Sequence, residues 1–125
     1  MTIAYACILI AALLPFVWTV AAKLSKPGFD NSGPRDFLNE LEGWGQRANW
    51  AQINSFEAFP AFAAAVLVAY QLNNIDLNVL DALAVSFVVC RVLYGILYIA
   101  DKATLRSLVW MAGMGCWVGI FLLSI

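Results

Sequence analysis

Apolar residues fall into four long runs, separated by short polar segments of very unequal length. The first run, Ile3 to Ala22, carries no charged side chain. At about 1.5 Å per residue it is long enough, as a helix, to cross a hydrocarbon core of about 30 Å. Met1 and Thr2 precede it without a positive charge, and Lys23 and Lys26 follow it. A cleaved secretion signal has the opposite order of charge, so a retained span over about 3–24 is expected. Pro15 lacks the backbone donor that a helix interior uses and is expected to bend the span.

The longest polar segment covers about 25–43. Pro27, Gly28, Asn31, Ser32 and Gly33 read as turns. Pro34 to Glu42 reads as a short helix at the membrane surface, in a cytoplasmic loop long enough to act as a lid. The second span, about 44–72, has two unlike halves. Gln46, Arg47, Asn49, Gln52, Asn54 and Glu57 make the first half polar, whereas Ala58 to Tyr70 is almost wholly apolar. Asn73, Asn74 and Asp76 mark a tight turn into a third span, about 77–100. A second turn at Asp101 to Thr104 leads to the fourth, about 105–125. Connections this short place antiparallel neighbours side by side. The expected fold class is therefore all-α: an up-down four-helix membrane bundle in one domain, 1–125.

Composition sharpens this reading. The chain is 63% hydrophobic and only 12% charged, with a mean hydropathy of +0.82. A soluble domain of 125 residues has too little interior to hide that much apolar surface. A water-soluble enzyme is excluded, and the lipid bilayer is the first expected partner. With a net charge of −1 and no basic run, nucleic acid is not expected to bind. The absence of histidine removes Ser-His and Cys-His dyads, His-ligated zinc and haem on a proximal histidine. Cys7, Cys90 and Cys116 lie far apart in apolar runs without a CxxC pair. They read as small buried hydrophobes, with neither a metal site nor a disulfide framework expected.

Charge also orients the chain. Lys23, Lys26, Arg35, Arg47, Arg91, Lys102 and Arg106 all lie in the first and third connections or within a few turns of them. By the positive-inside rule those connections are cytoplasmic and both termini face the other side.

Ionisable groups in or beside spans are costly and mark function or a helix clamp. At about 100° per residue, Arg47, Trp50, Asn54, Glu57 and Ala61 share one stripe of the second span, with Gln52 off it. Arg91, Tyr94 and Tyr98 share a face of the third, and Arg106 opens the fourth at a similar depth. Arginines supply forked donors for carboxylates, Glu57 suits an ammonium, and a phenol or guanidinium favours a thiolate. The same stripe is also what a helix-helix clamp would use, with Glu57 pairing a buried arginine.

These residues resemble the MAPEG family, the membrane-associated proteins in eicosanoid and glutathione metabolism. The resemblance extends over length, four spans and the long first loop. Its specific part runs from Arg47 to Pro60: Asn54 lies seven positions after Arg47, Glu57 three further and Pro60 three further. The second match is Arg91-x-x-Tyr94-x-x-x-Tyr98. The resemblance implies a homotrimer with active sites between subunits near the cytoplasmic side. It implies glutathione as co-substrate, held by Arg47, Gln52, Asn54 and Glu57 of one span and by Arg91, Tyr94 and Tyr98 of a neighbouring one. Arg106 matches, with a one-residue offset, the arginine that activates the glutathione sulfur, and Tyr94 is the phenol candidate for that task. Eicosanoid-making members carry a second arginine where this chain has Trp50, and one branch has a tyrosine where it has Ala58. The chain is more similar to a bacterial member, which implies an inner-membrane location.

The expected function is a glutathione-dependent transferase or peroxidase acting on lipophilic electrophiles or lipid hydroperoxides that enter from the bilayer. One alternative is a binding or structural protein on the same scaffold, which Trp50 favours. Another is a small four-helix transporter. That reading wants an acid deep in an apolar span, whereas Glu57 sits in a polar half-helix ten residues from Arg47.

Overall fold

The computed structural model describes residues 2–125. It contains α1 (Ile3–Leu24), α2 (Pro34–Asn39), α3 (Gly43–Leu72), α4 (Leu77–Ile99) and α5 (Ala103–Ser124). The four longer helices are each long and apolar enough to cross a membrane.

Each boundary has a local cause. The Thr2 hydroxyl accepts from the Tyr5 amide at the start of α1, and the Asp76 carboxylate accepts from the Asn78 and Val79 amides at the start of α4. Both satisfy backbone donors that a helix start leaves free. Asn73 ends α3 in the left-handed conformation, with φ 54°, which asparagine tolerates better than most residues. Asp101, with φ 60°, makes the turn from α4 to α5. Pro34 opens α2, where its missing N–H costs nothing. In the loop before it, the Asp30 carboxylate accepts from the Ser32 amide and hydroxyl, and these bonds hold it below the usual carboxylate range. Pro15 does not interrupt α1, which runs through it as one helix, and the Thr19 hydroxyl donates to the Pro15 carbonyl at 3.0 Å.

Contacts at the helix ends fix the directions. The Tyr5 ring lies 4.5 Å from that of Tyr70, so the start of α1 meets the end of α3. Arg47 Nε donates to the Ile99 carbonyl at 3.1 Å, so the start of α3 meets the end of α4. The Asn74 side chain donates to the Ser124 carbonyl, placing the end of α5 beside the α3–α4 turn. The helices therefore alternate up and down. At one end the Ala4 amide of α1 donates to Asp81 of α4 at 3.1 Å, a cap supplied by a neighbouring helix.

The centre is dry and made largely of small residues. Phe62 of α3 stacks on Phe87 of α4 at 4.0 Å, among Ala4, Ala11, Ala65, Ala84, Leu80 and Ile120. Lipid tails are as apolar as leucine, so membrane helices associate by close packing, which alanine and glycine permit. Leu9, Leu13, Phe16, Val85, Val89, Leu108 and Leu122 face outward instead. Trp18 of α1 is buried against Gly95 of α4, and a Cβ at Gly95 would overlap its indole ring. Gly95→Ala should lower stability by about 1–3 kcal/mol, the usual cost of overpacking. A thermal melt in detergent micelles checks this, and an unchanged melt would show that Trp18 can move aside.

Candidate functional site

The polar half of α3 faces α4 and α5 along the stripe Trp50, Asn54, Glu57 and Ala61, a spacing of three to four residues that keeps one helix face. Opposite stand Phe87, Arg91, Tyr94 and Tyr98 of α4, and Arg106, Trp110, Met114 and Trp117 of α5. Between them lies a cleft of about 210 Å³ whose wall includes Asn54, Glu57, Arg91, Trp110 and Trp117. Asn54 and Glu57 also line an adjoining groove with Trp50, Ile53, Tyr94 and Tyr98. Arg106 and Ser107 close a third wall beside Tyr94 and Trp110.

Two guanidiniums and two phenols form a ladder along this surface. The Arg91 Cζ lies 4.4 Å from the centre of the Tyr94 ring. Tyr94 meets Tyr98 edge to face at 5.5 Å. The Arg106 Cζ lies 4.2 Å from the centre of the Tyr98 ring. Each cation sits over a ring face, where the quadrupole is negative. Trp50 approaches Tyr98 at 6.1 Å, occupying the outer end of the groove with an indole.

Arg91 is only 5% exposed, and a buried guanidinium needs partners. It donates to Asn54 Oδ1 at 2.8 Å and to the Ser55 hydroxyl at 3.5 Å. The polar stripe does clamp α3 to α4, but through Asn54 rather than Glu57. Within the chain the arginine is held by an amide and a hydroxyl, while Glu57 stands exposed on the cleft wall. Because Arg91 does not depend on Glu57 within the chain, Glu57→Gln should not lower the melting temperature of the protein. The same variant should weaken binding of a ligand ammonium. A large drop in melting temperature would restore the clamp.

Two of the sequence-predicted residues lie elsewhere. Arg47 is spent on the Ile99 carbonyl, where a cation suits the negative end of α4. Gln52 faces α1 and α2. Its side-chain oxygen lies against the Thr19 hydroxyl, and its amide nitrogen donates to Asn49 at 2.8 Å. It lines a separate depression with Arg35, Asn39 and Phe56. The structure thus brings together Asn54, Glu57, Arg91, Tyr94, Tyr98 and Arg106, and sets Arg47 and Gln52 apart. Thr19 and Asn49 support Gln52, and Ser55 supports Arg91; Thr19 and Ser55 were not singled out by the sequence, because the contacts that employ them are made between helices. Among the described residues, no cluster of three or more cysteine or acidic side chains is placed to hold a metal ion.

The arrangement joins a buried and a half-buried cation, phenols and one carboxylate to an apolar wall. It suits a ligand with charged groups of both signs beside an apolar one. Neither a curated protein nor a solved structure matches the chain. The model of the MAPEG family matches residues 3–125, which is nearly the whole length and includes every residue of the cleft. The chain belongs to the MAPEG family.

Proposed function

We propose that the protein is a membrane glutathione transferase or peroxidase acting on lipophilic electrophiles or lipid hydroperoxides. The observation that carries this reading is the ladder Arg91–Tyr94–Tyr98–Arg106 facing Asn54 and Glu57 across one cleft, on a chain of this family. Glutathione offers two carboxylates, an ammonium and a thiol. Glu57 suits the ammonium, and the guanidiniums suit a carboxylate and a developing thiolate. Trp110, Met114, Trp117 and Phe87 give the apolar wall along which a lipophilic second substrate would enter from the bilayer. Catalysis then consists of holding the sulfur near the electrophile and stabilising its negative charge, at Arg106 with Tyr94 beside it.

The working unit in this reading is a homotrimer. Glu57 is exposed in the protomer, although it lies inside a span, where a charge in contact with lipid is strongly disfavoured. A second copy covering α3 would remove that cost. It would also bring the depression at Gln52 and Arg35 against a neighbour's cleft. In this reading the α2 loop and the ladder face the cytoplasm of a bacterial cell, with both termini on the other side of its inner membrane, and the clustering of cations supports that orientation. Native mass measurement in mild detergent should give three copies. A monomer that still binds glutathione would overturn the intersubunit site.

A non-catalytic reading is favoured by one feature: Trp50, packed toward Tyr98, fills part of the groove with an indole. The two readings separate in a conjugation assay with chlorodinitrobenzene and a reduction assay with cumene hydroperoxide, each run with glutathione. Turnover in either supports the enzyme. Saturable glutathione binding with turnover in neither supports the binding protein.

A further inference from the structure

The helices α3 and α4, which carry facing walls of the cleft, share a seam filled by a side chain of a third helix. Trp18 of α1 is buried with Leu14 and with Ala51 of α3, and Val92, Tyr98 and Ile99 of α4 pack against that cluster. On α4 the indole lies flush on Gly95, where an added Cβ would overlap its Cζ2, Cε2 and Cη2 atoms. Small residues let membrane helices approach closely. Here Ala51 and Gly95 leave the space and one large ring occupies it. Trp18 itself lies outside the cleft, whose walls it does not line.

The contact governs how α4 is turned. At 3.6 residues per turn, Arg91, Tyr98 and Tyr94 lie about 40°, 60° and 100° round the helix from Gly95, all on the same side. Fixing Gly95 against Trp18 therefore fixes the direction in which the ladder faces. The phenols have little freedom of their own. Tyr94 is buried between Arg91 and Tyr98. Tyr98 has the Trp18 cluster on one side and the Arg106 guanidinium over its ring. One turn beyond Gly95, Arg47 pins the end of α4 at the Ile99 carbonyl. What the seam uses is the volume of the ring. Trp18 Nε1 is buried with no hydrogen-bond partner among the described residues, whereas a buried indole usually bonds that group. An unpaired buried donor opposes folding, a cost that phenylalanine or leucine would avoid while leaving the seam underfilled.

We propose that Trp18 is a positioning residue of the cleft: as a wedge between α3 and α4 it sets the roll of α4 that presents Tyr94 and Tyr98 to Asn54 and Glu57. The geometric half of this inference needs no ligand. Its consequence for turnover rests on the proposed function, because a displacement of about 1 Å at a reacting group can cost about 10²-fold in rate.

The test uses the full chain in detergent micelles, with 3-fluorotyrosine at its four tyrosines, Tyr5, Tyr70, Tyr94 and Tyr98. Fluorine NMR is recorded without ligand and assigned by single phenylalanine replacements. Trp18→Leu and Trp18→Phe shrink the wedge and break no hydrogen bond. Both should move the Tyr94 and Tyr98 resonances, leucine more than phenylalanine, and leave Tyr5 and Tyr70, which pair at the far end of the bundle. Leu80→Ala, at a buried position near the start of α4, should lower the melting temperature and leave Tyr94 and Tyr98 in place. With glutathione and chlorodinitrobenzene, Trp18→Leu should lose about 10–10²-fold in kcat, with KM for glutathione changing far less. Trp18→Phe should fall between it and the wild type, and Leu80→Ala should keep the wild-type kcat. A Tyr94 resonance unmoved in both Trp18 variants, or moved as far by Leu80→Ala, would overturn the inference, as would wild-type kcat in both. A wild-type protein without turnover would overturn the proposed function alone, and the fluorine spectra would still decide whether Trp18 sets the ladder.

Discussion

Replacing Asn54 by leucine is expected to destabilise the protein by about 3 kcal/mol and to abolish ligand binding at the cleft. The side-chain oxygen of Asn54 is the 2.8 Å acceptor for Arg91, and Arg91 is 5% exposed. Without that acceptor a buried cation keeps only the longer contact to Ser55. Leaving a buried charged donor short of partners costs more than the hydrogen bond itself contributes. Asn54→Asp offers an acceptor at the same place and should retain most of the stability. The double variant Asn54→Leu with Arg91→Leu should recover a large part of the loss, because an apolar pair of similar size carries no unpaired charge. Thermal melts of the wild type, these three variants and Arg91→Leu in one detergent check this. Additive losses in the double variant would show that the two side chains are not coupled.

That coupling bears on what the sequence could reveal. The stripe Trp50, Asn54, Glu57 and Ala61 follows from helical periodicity alone, and these residues do share a wall. Which of them meets Arg91 depends on the rotation and tilt of α4 against α3, and periodicity on one helix says nothing about either. Glu57 is the more obvious partner by charge, yet the amide one turn earlier takes the bond. Arg47 follows the same pattern. It belongs to the stripe by spacing, but its long side chain reaches the carbonyl end of α4.

The helices themselves were far more legible. Long apolar runs bounded by Lys23, by Asn73 to Asp76 and by Asp101 to Thr104 specify four apolar helices, all of which are present. The reason is physical: every backbone polar group in a bilayer must be bonded within the segment, so a long apolar run has few alternatives to a helix. Pro34 marked the start of α2 in the same direct way. Pro15 lies inside α1, which continues through it as one helix. The fit of Trp18 onto Gly95 left no sign in the pattern at all, since each residue is unremarkable on its own helix.

Arg106→Ala is expected to slow turnover with an electrophile by about 10²–10³-fold, the usual effect of removing one donor aimed at developing negative charge. Glutathione affinity should change by less than about tenfold, because the interaction grows as charge accumulates on sulfur. The sign of the pH effect follows. A cation lowers the pKa of a bound thiol, so its loss moves the rise of the rate profile to higher pH. Arg106→Lys keeps the charge but loses the planar group that lies over Tyr98, and its rate should fall between the two. Equal turnover in all three proteins would leave Arg106 as an interfacial anchor and move the thiolate-stabilising task to Tyr94 or Tyr98.

The central claim is that this cleft binds glutathione and holds it as a thiolate. Ultraviolet difference absorbance on adding glutathione to the purified assembly, at a pH well below the ordinary thiol pKa of about 8.5, tests it directly. The account predicts a saturable thiolate band that is lost in Arg106→Ala while calorimetry still detects binding. Absence of both the band and any heat of binding in the wild-type protein would contradict it.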